Sequence, residues 1–311
     1  MTSRIVLPNT NLNIYPLCLG GNVFGWTANK EQSFQVLDAF VELGGNFMDT
    51  ADVYSEWAPG NSGGESEAIL GEWMTSRGNR DEMVIATKVA KLSTRAGLSR
   101  ANIFGAIDDS LRRLQTDFVD LYYAHEEDNT VALEETLGAF DDLVKAGKVR
   151  HLGASQHSAE RLTESLAVSQ ANNWEKYAVL QNQYNLVVRK DFEAESVPVL
   201  EATGLTALPF FSLAMGFLSG KYRPGVEVDS ARAGGVAQYQ NERGWAVVAA
   251  LGEIAAELGT TDSAVALAWL RAQPTVTAPI ASARTVEQLH QIMPIVELSA
   301  AQLERLTVVS G

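Results

Sequence analysis

Short apolar runs alternate along this chain with stretches in which apolar residues recur every third or fourth position. The runs read as strands: NIYPLCLG (13–20), NFMD (46–49), MVIATK (83–88), DFVDLYYAH (117–125), VRHLGAS (149–155), YAVLQNQ (177–183), LTALPFF (205–211) and TVTAPIAS (275–282). The stretches between them read as helices. Phe34, Leu37, Phe40 and Val41 fall on one face, with Gly44 and Gly45 placed to end the helix in the left-handed region. Ile69, Leu70, Trp73 and Met74 make a second apolar face, and Ile103, Ile107, Leu111 and Leu114 a third. A fourth helix stops at Gly147, and further helical stretches lie near 158–170, 192–203, 240–271 and 285–293.

Strands alternating with helices imply parallel pairing through crossover connections. Strands that are apolar throughout, rather than at every second residue, are covered on both faces. Eight such units in 311 residues predict a (β/α)8 barrel, a TIM barrel, as a single domain over residues 1–311. An open doubly wound sheet is the alternative. It has less support, because GGNVFG (20–25) lacks the G-x-G-x-x-G spacing of a dinucleotide-binding turn. The opening RIVLPNTNLNI reads as a β-hairpin turning at Asn9 and Asn11, placed to plug the lower end of the barrel.

Composition narrows the setting. The chain is 46% hydrophobic, enough for a large core, and carries a formal net charge of -14. Its pI near 4.8 disfavours nucleic acid and anionic membranes as partners. Any anionic ligand must then find a local positive pocket. No run of about 18 apolar residues appears, and no long apolar segment opens the chain, so neither a membrane span nor a signal peptide is expected. Cys18 is the one cysteine; its apolar neighbours suit a buried residue, and a lone thiol fits a reducing cytoplasm. The helices show no exposed apolar seam, which suggests a monomer or a weak homo-oligomer.

In such a barrel, chemistry gathers at the C-terminal ends of the strands. The second strand ends at Asp49 with Tyr54 in the following loop, the third at Lys88 and the fourth at His125. A lysine and a carboxylate buried together are satisfied as an ion pair. A tyrosine beside that ammonium gains from ionising. The pKa of Tyr54 is therefore expected to fall from about 10 towards neutrality, making it a proton donor. His125 beside it can hydrogen-bond a carbonyl oxygen. The set suits proton transfer to or from an oxygen on carbon. It includes no nucleophile, and His125, His151, His157 and His290 lack metal-ligand spacing, so no metal is expected. Each residue alone is readable as packing or a buried salt bridge; four together on three successive strand ends are not.

MDTADVYS, VIATKV, DLYYAH and LGAS, in this order and spacing, resemble the aldo-keto reductase superfamily, from about residue 4 to residue 295. FMDTADVYSEWAPGNSGGESEAILGEW is similar in particular to its bacterial NADP-dependent branch. The resemblance implies a barrel that binds NADPH in extended form and passes hydride directly to a carbonyl carbon. Asp49, Tyr54, Lys88 and His125 would be its catalytic tetrad. Tyr54 would protonate the alkoxide, Lys88 held by Asp49 would lower the tyrosine's pKa, and His125 would orient the carbonyl.

For the cofactor, the resemblance implies Gly21 and Asn22 after the first strand. Ser155, Gln156 (an asparagine in the family) and Gln181 would hold the nicotinamide, with Phe210 stacked on it. Ser212, Leu213, Gly216 and Lys221 would cover the pyrophosphate. At the adenosine end Ser282, Arg284 and Gln288 match, while Ala281 stands for a glycine and Ile292 for an asparagine. The fork of Arg284 suits a 2′-phosphate, so NADPH is expected over NADH. Trp26, Trp57 and Glu126 would line the substrate pocket. Glu126, Glu127 and Asp128 would make its mouth acidic and favour an uncharged carbonyl compound.

Two other functions stay open. Members of this fold also serve as cofactor-binding regulatory subunits of membrane channels, and a strand-end lysine can form a Schiff base in a lyase. The intact tetrad and the lack of a long basic or apolar docking segment weigh against the first. NADPH consumption, against borohydride trapping on Lys88, separates the second. The segments 54–64, 125–130 and 222–240 would set the substrate; the last would be a flap over the cofactor or a plain surface connection.

Overall fold

The computed structural model describes residues 4–311, and residues 1–3 of the expected domain lie outside them. β1 (Ile5–Val6) and β2 (Asn13–Ile14) form an antiparallel hairpin, with Asn9 at φ 61° in its turn. Then follow β3 (Cys18–Gly20), α1 (Lys30–Glu42), β4 (Phe47–Asp49), α2 (Glu65–Arg77) and β5 (Val84–Val89). A small hairpin of β6 (Lys91–Leu92) and β7 (Arg95–Ala96) precedes α3 (Arg100–Leu114), β8 (Val119–Ala124), α4 (Leu133–Lys145) and β9 (Val149–Ser155). Next come α5 (Ala159–Asn172), β10 (Tyr177–Gln181), α6 (Val197–Thr203), β11 (Thr206–Ala207) and α7 (Ala233–Val236). The chain ends with α8 (Glu242–Leu258), α9 (Asp262–Arg271), β12 (Ile280–Ala281), α10 (Val286–Ile292) and α11 (Ala300–Val309).

The parallel sheet runs β12-β3-β4-β5-β8-β9-β10-β11. Its two ends meet. The Ala207 N–H donates to the Thr275 carbonyl at 2.7 Å, the Thr277 N–H to Ala207 at 3.1 Å, and the Ile280 N–H to Pro209 at 2.9 Å. The sheet thus closes on itself as a (β/α)8 barrel with helices outside.

The observed elements depart from the sequence pattern where proline or glycine intervenes. Residues 13–20 are not one strand. Asn13–Ile14 pairs in the hairpin, Pro16 offers no N–H, and Cys18–Gly20 alone joins the barrel. Pro209 and Pro279 likewise cut the seventh and eighth runs down to two-residue ladders. The stretch 240–271 is two helices. Gly259 ends α8 at φ 63°, and the Thr261 hydroxyl accepts the Ala264 N–H to begin α9. The β6–β7 hairpin and α11 were not anticipated, although Ser299 and Gln302 form a capping box that the sequence carries.

Inward residues of the barrel, among them Cys18, Phe47, Ala86, Leu121, Tyr123 and Leu208, form one buried cluster with Leu7, Leu12 and Ile14 of the hairpin. Burying each of those three hairpin side chains contributes about 1.5–3 kcal/mol. Gly153 has a steric reason here, since a Cβ would lie 2.4 Å from the Tyr123 ring. A larger cluster fills the space between sheet and helices. With the bottom sealed, the barrel opens at the C-terminal ends of its strands. Among the described residues no helix is long and apolar enough to cross a membrane.

Candidate active site

β4 lies between β3 and β5, and Asp49 pairs with Gly20 on one side and Ala86 on the other. That register puts Asp49 beside Lys88, and both are buried. The Lys88 Nζ donates to Asp49 Oδ2 at 2.5 Å, to the Thr50 carbonyl at 2.7 Å and to Tyr54 Oη at 2.8 Å. All three ammonium protons therefore have acceptors. Tyr54 Oη donates to Asp49 Oδ2 at 3.0 Å, and the Gln181 side-chain amide donates to the other oxygen, Oδ1, at 2.9 Å.

The loop that presents Tyr54 is pinned at both ends. The Asp52 N–H donates to the Lys88 carbonyl, and Ser55, at φ 74°, donates its hydroxyl to the Phe24 carbonyl. His125 follows β8, with its ring 6.0 Å from that of Tyr54 and its Nδ1 buried without a partner.

The charges differ from expectation in one respect. The Tyr54 phenol sits well above its ordinary pKa, pushed up first by burial and then by the negative charge of Asp49. Lys88 is itself held below its usual value by burial, against the pull of Asp49. The ammonium is compensated by Asp49, so it does not draw Tyr54 towards neutrality. Tyr54 stays protonated and remains a donor. Burial, and then Lys88, hold His125 well below its usual value, so it is neutral near pH 7.

Behind this network lies a second buried acid. Neither oxygen of Asp52 meets a donor in good geometry, and the Val53 N–H is a weak partner. Burial, and then the charge of Glu67, raise Asp52 to about 8. Folded protein thus keeps a proton that the unfolded chain releases near pH ~3.9. Stability from this group is complete below that value and falls as pH rises through about 8. Asp52→Asn removes the linkage. The variant is expected to gain stability over wild type, on the order of 5 kcal/mol by pH ~8 and about 1.5 kcal/mol at pH ~5. Denaturant midpoints at the two pH values check this; a gap that does not widen contradicts it.

The network opens on a cavity of about 940 Å3. Its wall includes Asn22, Trp26, Trp57, Ser155, Gln156, Gln181, Phe210, Ser212, Leu213, Gly216, Lys221, Ser282, Arg284 and Gln288. Gly21 is not on the wall; Gly20 is. The Gly21 N–H donates to the Asp49 carbonyl, and a Cβ there would lie 2.7 Å from Ser66 Oγ, so this glycine serves close packing. Glu126 is absent from the wall too, because it pairs with Lys91 at 3.0 Å. Glu127 accepts from Ser158, and Asp128 from the Leu98 N–H and Thr130. The expected acidic mouth does not form, since all three acids are engaged by neighbouring segments.

Several wall residues hold one another. Ser155 donates to the Gln181 carbonyl, Gln156 to the His125 carbonyl, Ser212 to the Pro209 carbonyl and Ser282 to Asn22 Oδ1. Gln288 Oε1 accepts the Arg284 N–H. In contrast, Lys221, Arg232 and Arg284 approach one another, and no described carboxylate lies within ion-pair distance of any of them. Lys221 and Arg232 are both held below their usual values, by burial and then by the charge of Arg284. An acidic chain with 38 carboxylates has thus left three cations unpaired in one cavity. Arg232 was not anticipated; its signal was an arginine in the Gly-rich segment 222–240. Among the described residues no group of His, Cys, Asp and Glu could hold a metal ion.

The model of the Aldo/keto reductase family matches residues 16–310. The chain belongs to the aldo/keto reductase family. It is 33% identical to a norsolorinic acid reductase of Emericella nidulans, over 92% of this chain and 75% of that one. It is 32% identical to an aryl-alcohol dehydrogenase [NADP(+)] of Phanerodontia chrysosporium, over 95% and 82%. An uncharacterized oxidoreductase of Bacillus subtilis is also 32% identical, over 94% and 90%. This aldo/keto reductase is therefore an oxidoreductase, and carbonyl reduction is the general activity its relatives support.

Proposed function

We propose that this aldo/keto reductase reduces aromatic aldehydes or ketones to alcohols with NADPH, using Tyr54 as proton donor. One observation carries the reading: Tyr54 Oη, clamped between Lys88 and Asp49, stands on the wall of a cavity that also holds unpaired cations. NADPH, when bound, supplies a hydride to the carbonyl carbon. Phe210 offers a ring face for the nicotinamide. The three cations suit the cofactor's phosphates, with Arg284 placed for the 2′-phosphate. Ile292, also on the wall, offers the adenine an apolar face in place of an amide.

His125, neutral, donates a hydrogen bond to the carbonyl oxygen and orients it. Tyr54 turns its O–H from Asp49 towards that oxygen and delivers the proton, while Lys88 Nζ, 2.8 Å away, stabilises the phenolate left behind. The aromatic wall supports the substrate class. Trp26 meets Trp57 edge-on at 5.7 Å, and Trp57 meets Tyr54 at 6.1 Å. Relatives named for an aryl alcohol and for norsolorinic acid agree with it. A Schiff base at Lys88 is disfavoured, because its ammonium is buried and fully hydrogen-bonded.

The cofactor part is tested by titrating tryptophan fluorescence with NADPH and with NADH. Wild type should bind NADPH more tightly. Arg284→Gln should weaken NADPH by about ten- to a hundred-fold and leave NADH nearly untouched. Equal binding of both cofactors by wild type sinks the assignment of Arg284.

A further inference from the structure

The methionines of this chain differ in their access to solvent. Met48, Met74, Met83 and Met293 are buried, each 4% exposed or less. Among the described residues Met215 alone is partly exposed, and it lines the large cavity. Cys18, the one thiol, is fully buried. An oxidant in solution therefore reaches one sulfur well before the others, and that sulfur belongs to the wall of the cavity.

The backbone holds Met215 in a particular place. Phe211, Ala214, Met215 and Gly216 all have positive φ, with Met215 at 58°. Non-glycine residues adopt that region at a cost, so the turn is held by its surroundings. The Ala214 N–H donates to the Phe211 carbonyl at 2.7 Å, and the Gly216 N–H to the Leu213 carbonyl at 2.8 Å. The turn sets the Met215 thioether against Gly235 of α7. A Cβ on Gly235 would lie 2.5 Å from the sulfur and 3.5 Å from its methyl group. The sulfur thus rests directly on the glycine backbone, in the space a side chain would fill. The Gly235 N–H in turn donates to the Arg232 carbonyl at 3.1 Å. On the other side, a Cβ on Gly216 would lie 3.4 Å from Lys221 Nζ. One thioether therefore packs between the two turns that carry Lys221 and Arg232.

We propose that Met215 is an oxidation site for hydroperoxides, and that its sulfoxide loosens the hold of the cavity on the cofactor. The sulfur lone pair attacks the outer peroxide oxygen, the O–O bond breaks and an S–O bond forms. The sulfur is oxidised by two electrons and the peroxide is reduced. The proton on the transferred oxygen passes to the departing one, which leaves as water or an alcohol. The sulfoxide is polar and carries one more atom at a contact shaped for bare sulfur on glycine. Gly235 gives way, and the start of α7 with Arg232 moves with it. The binding half of the proposal rests on the cofactor reading of the cavity; the oxidation half stands on the exposure of Met215.

The test treats the full chain with hydrogen peroxide, then follows peptide masses and calorimetric titration with NADPH. The Met215 peptide should gain one oxygen ahead of those holding Met48, Met74, Met83 and Met293, and NADP+ bound beforehand should slow the gain. NADPH affinity should fall by about ten-fold as Met215 is oxidised, and methionine sulfoxide reductase should restore it. Met215→Leu should carry its own affinity through the same treatment without change. Met215→Gln, a polar side chain of similar length, should bind NADPH more weakly than Met215→Leu before any peroxide is added. Buried methionines oxidised as fast as Met215 overturn the proposal, as does full NADPH affinity in the Met215 sulfoxide or an equal loss in treated Met215→Leu. If untreated wild type binds no NADPH, the cofactor reading fails and the binding half falls with it. The peptide masses then still decide the oxidation half.

Discussion

Tyr54→Phe is expected to lower reduction of an aromatic aldehyde by about a hundred- to ten-thousand-fold while leaving NADPH binding in place. The phenol oxygen is the one group that touches both Lys88 and Asp49 and also lines the cavity. Phenylalanine keeps the ring against Trp57 and removes the proton, so the loss should fall on kcat in single-turnover NADPH oxidation. The raised pKa of Tyr54 adds a second expectation. A donor that stays protonated does not limit reduction on the basic side, so the wild-type rate should show no Tyr54 limb between about pH 6 and 9. A drop of less than about ten-fold, or a basic limb near neutrality that Tyr54→Phe removes, would count against the role assigned to it.

Breaking the buried pair should have the largest effect on stability. Asp49→Ala leaves the Lys88 ammonium fully buried with no counter-charge and frees the Gln181 amide that held Oδ1. The expected loss is about 3–5 kcal/mol, with activity abolished. Denaturant unfolding of Asp49→Ala, Lys88→Met and the double variant Asp49→Leu with Lys88→Met separates charge from shape. The double variant removes both ions together, so it should unfold at higher denaturant than Asp49→Ala and still lack activity. If it is no more stable than Asp49→Ala, uncompensated charge is not what makes that variant weak.

Asp49, Lys88 and His125 were legible in the sequence because each closes an apolar run, and strand ends in such a barrel point to one mouth. The hairpin was legible from its turn residues Asn9 and Asn11, and Leu7, Leu12 and Ile14 are the side chains it buries against the barrel. Strand lengths were not, because Pro16, Pro209 and Pro279 delete donors inside runs that look continuous. The direction of the Tyr54 shift was not legible either. It depends on whether Lys88 is compensated, and that is settled by a register placing Asp49 Oδ2 2.5 Å from Nζ. Nor was the sign of the mouth. HEED reads as acid, yet its side chains turn to Lys91, Ser158 and Leu98, and the unpaired charge on the cavity wall comes from Lys221, Arg232 and Arg284, about a hundred positions or more further on.

Direct transfer of hydride to a carbonyl held at Tyr54 is the central claim, and single turnover with NADPH deuterated at the transferring position of its nicotinamide tests it most directly. The account predicts that the product alcohol of an aromatic aldehyde carries one deuterium on its carbinol carbon, formed rapidly by wild type and slowly by Tyr54→Phe. Alcohol formed without the label, or labelled equally fast by both proteins, would contradict it.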